Sequence, residues 1–95
     1  YSYKNDRLKE AESEFKKSIE KQSNNSPAYI GLGWVYYRLG KYKDAEKAFQ
    51  KAKSISPNDS EVYIGLGTLY EKLGKKSQAL SAYNKARKLN PSKVM

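Results

Sequence analysis

The sequence predicts an all-α fold, a superhelical solenoid of antiparallel helix pairs, and two observations carry that prediction. The first is an internal repeat: Tyr-Ile-Gly-Leu-Gly stands at residues 29–33 and again at 63–67, 34 residues apart. A fixed spacing of that size marks stacked supersecondary units, because each unit buries its apolar face only against its neighbours. The second is the pattern inside the unit. Tyr29, Leu32, Gly33 and Tyr36 advance by three, one and three residues, and Ala45, Phe49 and Ala52 by four and three. Both series lie along one stripe of a helix.

Each element follows from this period. Displacement by 34 residues aligns Ala11, Ala45 and Ala79, then Phe15, Phe49 and Tyr83, then Ser18, Ala52 and Ala86. In the first half of the unit Tyr29 aligns with Tyr63, Leu32 with Leu66, Gly33 with Gly67, Tyr36 with Tyr70 and Gly40 with Gly74. Residues 1–95 then form one domain: a partial unit at 1–25, full units at 26–59 and 60–93, and a tail at 94–95. The partial unit holds the tail of a first helix and a complete second helix bearing Leu8, Ala11, Phe15 and Ile19. Ser26 before Pro27 reads as a cap and a first-turn proline, and Asp59-Ser60-Glu61 gives the same start one unit later. Gly40 and Gly74 end the first helices, where a left-handed residue turns the chain. Pro57 and Pro91 stop the second helices, since proline supplies no amide to continue them.

Small residues bring the two helices of a unit together. Gly33 on the first, with Ala45 or Ala52 on the second, admits close backbone approach, and Tyr29, Phe49 or Tyr83 fills the space beside them. Ser2, Ser18 and Ser23 replace Tyr, Ala and Pro in the partial unit, so its packing is expected to be looser. Lys76 replaces Leu8 and Tyr42, which predicts a polar end to the stack.

With aromatic, Leu, Gly and Tyr followed by Ala, Phe or Tyr, Ala and Pro at these offsets, the unit resembles the tetratricopeptide repeat over nearly the whole chain. The resemblance implies a protein-interaction module whose first helices line an inner, concave groove for extended or helical peptides. Carried over by position, that groove comprises Tyr3 and Lys4 of the partial unit, Pro27, Ile30, Trp34, Tyr37 and Arg38 of the next, and Glu61, Ile64, Thr68, Glu71 and Lys72 of the last. The first glycine of each pentapeptide, Gly31 or Gly65, is expected to keep the inner wall low. Members that grip a terminal carboxylate use a clamp of Lys, Asn and Arg; Gly31, Glu61 and Gly65 occupy much of that clamp here. A peptide of mixed apolar and acidic character suits Trp34, Tyr37, Arg38 and Lys72 better.

Composition narrows the chemistry. The chain has no cysteine and no histidine, which removes disulfides, thiolate and imidazole metal sites and the commonest nucleophile–base pairs. No cofactor is expected. The carboxylates Glu10, Glu12 and Glu14 come closest to a cluster, but the lysines around them read as an ion-paired, solvated surface rather than a catalytic pocket, and no enzyme is expected. No apolar run is long enough to span a membrane and the N-terminus has no signal-peptide pattern, so the cytoplasm is the default location.

The net charge is +9, from 19 basic and 10 acidic residues. Lys16, Lys17, Lys21, Lys43, Lys47, Lys51, Lys53, Lys85, Arg87 and Lys88 belong mainly to the second helices, on the outer side that the resemblance implies. Few arginines and no aromatic platform among them make a solvated face a better reading than a nucleic-acid or membrane surface. The partial unit leaves Leu8, Ala11, Phe15 and Ile19 without their usual cover, which predicts a dimer or a concentration-dependent oligomer as an alternative use of the same apolar surfaces.

Overall fold

In the computed structural model residues 2–90 are described, with side chains from residue 7 onward. The described residues form five helices: α1 (Ser2–Lys21), α2 (Ser26–Arg38), α3 (Tyr42–Ile55), α4 (Ser60–Lys72) and α5 (Lys76–Leu89). The pairs α2–α3 and α4–α5 pack most extensively, α1 packs on α2, and α3 on α4. The first helices of successive units, α2 and α4, also touch directly.

Capping chemistry fixes the ends. Asn25, not Ser26, caps α2: its side-chain oxygen accepts from the Ala28 amide at 3.3 Å. Ser26 is the first helical residue, with its Oγ buried and without a hydrogen-bond partner. Two adjacent residues could each serve as cap, and Pro27 fits either the first or the second helical position, so the sequence left the register open by one. At α4 the Asp59 carboxylate accepts from the Glu61 amide at 3.0 Å. Gly40 and Gly74 both have φ of 81°. Behind them the Lys41 and Lys75 amides donate to the Tyr36 and Tyr70 carbonyls at 2.8 Å, and the glycine amides donate to Tyr37 and Glu71. This double closure satisfies the last carbonyls of the helix and requires the left-handed residue.

The partial unit differs from expectation. No turn separates a first-helix tail from the second helix, and α1 runs unbroken from Ser2 to Lys21. The physical reason is at Asp6, which stands where Gly40 and Gly74 stand; without glycine the left-handed turn costs about 1–2 kcal/mol and the helix continues instead.

The core lies between the units. Ala45, Phe49, Ala52, Val62 and Leu69 are completely buried, with Leu66, Tyr70, Ala79 and Ala82 around them. Phe49 occupies the centre. A Cβ on Gly33 would lie 2.6 Å from its ring, and one on Gly65 would lie closer still. Gly65 therefore does not lower an inner wall; it receives the ring of the preceding unit's Phe49, as Gly31 receives that of Phe15. Gly67 meets Tyr83 in the way Gly33 meets Phe49.

Candidate functional site

The α2 positions assigned to the groove, Ile30, Trp34, Tyr37 and Arg38, share one side of the helix, and Ile64, Thr68 and Lys72 share the matching side of α4. The structure places the two sets on adjacent helices. Tyr3 and Lys4 lie outside the residues whose side chains are described. Arg38 and Lys72 are exposed, as are Pro27 and Glu71, whereas Ile30, Trp34, Tyr37, Ile64 and Thr68 are half-buried.

Trp34 is held by its neighbours. Its ring meets Phe49 edge-on with centroids 5.4 Å apart and Tyr37 at 5.9 Å, and Tyr37 meets Tyr42 at 5.7 Å. Edge-to-face pairs of this kind contribute about 0.5–1.5 kcal/mol each beyond area burial, so the row is rigid while part of each ring stays in solvent. Tyr42 completes it, and the sequence reading did not include it; its place one turn beyond Gly40, opposite Tyr37, was the available signal. Thr68 is engaged inward. It donates to the Ile64 carbonyl at 2.8 Å, and its oxygen lies 3.1 Å from the Tyr83 hydroxyl, which also reaches Glu71.

The seams behind this face are pinned by a repeating hydrogen bond. The Tyr36 hydroxyl donates to Glu12 at 3.2 Å, and the Tyr70 hydroxyl donates to Glu46 at 3.3 Å. Both tyrosines and both glutamates are 34 residues apart, so the bond joins each first helix to the second helix of the preceding unit. Tyr70 also accepts from Gln50 at 3.1 Å. Burial, reinforced by the adjacent Glu12 or Glu46 carboxylate, raises Tyr36 and Tyr70 above the ordinary phenol range. Glu12 is not part of a solvated cluster: Lys16 binds it at 2.9 Å and, chiefly through that hydrogen bond, holds its carboxyl below the ordinary value. Glu10 and Glu14 are exposed, as are all ten outer lysines and arginine of the basic set.

Two hollows adjoin these elements. One of about 370 Å³ opens on the outer side between α3 and α5, bordered by Gln50, Lys53, Tyr63, Tyr70, Ser81 and Lys85. Another, of about 550 Å³, lies at the α1–α2 junction and is lined by Leu8, Phe15, Gly31, Trp34, Val35 and Arg38. Among the described residues no group of three or more acidic side chains is placed to hold a metal, and no helix is long and apolar enough to cross a membrane.

A family profile described as tetratricopeptide repeat matches residues 26–59 and 60–93, the stretches marked off by the 34-residue period. The chain belongs to the tetratricopeptide repeat family. Tetratricopeptide repeats are a non-catalytic protein-interaction fold, and domains built from them bind protein partners. Among solved structures, one titled crystal structure of MamA superposes with a TM-score of 0.83 at 27% identity over 96% of this chain and 53% of that one. MamA of MSR-1 gives 0.80 at 25% identity over 92% and 50%. The tetratricopeptide domain of Arabidopsis OM64 gives 0.84 at 23% identity over 95% and 74%, a likeness of fold alone. The chain thus spans about half the length of the MamA chains. A comparison with curated protein sequences found no match.

Proposed function

We propose that this tetratricopeptide domain holds a segment of a partner protein on the face shared by α2 and α4. The observation that carries the reading is the row of half-exposed Ile30, Trp34 and Tyr37 on α2, continued by Ile64 on α4 and bordered by exposed Arg38 and Lys72. Aromatic residues and arginine contribute most to binding hot spots when they are fixed before the partner arrives. Here Phe49, Tyr37 and Tyr42 hold the rings in place. The ligand that complements the row is a peptide with apolar anchors and carboxylates, its anchors against Trp34 and Tyr37 and its acids at Arg38 and Lys72.

Trp34 is the only tryptophan, so its emission reports occupancy. Short peptides combining Leu or Phe with Asp or Glu are expected to shift Trp34 emission and to bind at least tenfold more weakly to an Arg38→Glu, Lys72→Glu variant. A Tyr37→Ala, Ile64→Lys variant that retains wild-type affinity for every such peptide would refute the groove.

Self-association is a second reading, and one observation favours it. Leu80 is 60% exposed and Leu73 is exposed near it at the last unit. Leu80 occupies the position of Glu12 and Glu46, so the seam that is polar in the earlier units is apolar here.

A further inference from the structure

We infer that the hollow between α1 and α2 is a seat for an amphipathic helix supplied by a partner protein, with a glycine facing Phe15. The repeat itself shows the occupant one unit later. Phe49 is completely buried because a glycine covers it on each side, Gly65 of the following first helix and Gly33 of its own. Phe15 has Gly31 on one side and remains half-exposed, with its other side bordering the hollow. Tyr42 packs against Tyr37, whereas its counterpart Leu8 borders the hollow. The helix that fits the seat is therefore one with the chemistry of α2 or α4: a leucine followed by a glycine, with an aromatic residue one turn away.

The chain's own first residues do not fill the seat. Residues 2–6 continue α1 along its axis instead of turning back as the chain does after Gly40 and Gly74. Charge adds selectivity, since Arg38 borders the hollow and the chain carries +9, favouring a helix with surplus acid. Trp34 and Arg38 border both this seat and the proposed groove, whereas Leu8 and Phe15 belong to the seat and Ile64 and Lys72 to the groove.

The probe is a synthetic peptide with the sequence of residues 60–72, titrated into the full chain while Trp34 emission is followed. Saturable binding is expected. It should weaken at least tenfold when the peptide carries leucine in place of Gly67, whose side chain would meet Phe15, and at least tenfold with a Leu8→Glu protein. An Ile64→Lys, Lys72→Glu protein should bind the peptide within about twofold of wild type, which separates the seat from the groove. Leu8 is only half-buried, and an unchanged circular dichroism spectrum of Leu8→Glu shows that lost binding is local. Equal affinity for the leucine-bearing peptide, or indifference to Leu8→Glu, overturns the inference. So does a particle mass that rises with protein concentration alone and returns to monomer in Leu8→Glu, which would assign the seat to a second copy.

Discussion

The ring of Phe49 lies against Gly65, a residue of the following unit, so closely that no Cβ fits between them. Gly33 takes the opposite contact from within the unit. Alanine in place of either glycine has two opposed effects. It gains about 1 kcal/mol of helix propensity, and it forces a ring that is 0% exposed to move, an overpacking cost of about 1–3 kcal/mol. The rigid surroundings of Phe49 make the second effect the larger. Urea melts of Gly33→Ala and Gly65→Ala are expected to show net destabilisation, and Gly33→Leu a larger one. A stabilised Gly65→Ala would mean the ring has room that the structure denies it.

These glycines also show what the sequence could and could not reveal. Gly33, Phe49, Ala45 and Ala52 were legible because the residues of one helix pair recur at fixed offsets, and any pairing model reads them correctly. Gly65 was misread because its contact belongs to two units at once, and a pattern analysed within one unit does not display it. The Glu12–Tyr36 and Glu46–Tyr70 bonds were visible as a recurrence, but four side chains of ordinary surface type gave no reason to pair them. At the groove, helical spacing places Trp34 on the side of α2 away from Leu32; it does not tell how much of the ring Phe49, Tyr37 and Tyr42 then cover.

The paired hydrogen bonds between units predict additive, position-specific losses. Tyr36→Phe and Tyr70→Phe should each cost about 0.5–1.5 kcal/mol, the net value of a partly buried hydrogen bond. Tyr70→Phe is expected to cost the more, because Gln50 loses its acceptor as well. Double-mutant cycles pairing Tyr36 with Glu12, and Tyr70 with Glu46, should give a coupling of the same order, while the cross pair Tyr36 with Glu46 should give none.

The same bonds set the pH dependence. Glu12 is held below its ordinary value in the folded chain, first by the hydrogen bond from Lys16. Its contribution is complete above the unfolded-state value of about 4.3 and is lost as pH falls through the lower folded value. Tyr36 and Tyr70 are raised, first by burial. Their contribution is complete below about pH 10 and is lost as pH rises through the folded values. Melting temperature measured against pH should therefore decline at both extremes, with Glu12→Gln flattening the acid side and Tyr36→Phe the alkaline side. An acid limb unchanged in Glu12→Gln would show that the Glu12–Lys16–Tyr36 cluster does not form in solution.

Leu80 tests the self-association reading most directly. It stands where Glu12 and Glu46 stand, yet 60% of it faces solvent, and the adjoining hollow is lined by Ser77, Ser81, Asn84, Lys85 and Lys88. Replacing so exposed a side chain should alter the stability of the isolated chain by less than about 0.5 kcal/mol. If copies associate through this end, Leu80→Glu removes an apolar contact and sets a carboxylate against it, so the dissociation constant should rise by tenfold or more in sedimentation equilibrium. A variant that associates as the wild type does would exclude this end. Leu8→Glu at the opposite end then becomes the informative measurement, because α1 and α5 are the two second helices whose outer neighbours are missing from the stack, and an association insensitive to both changes must run through the α2–α4 face.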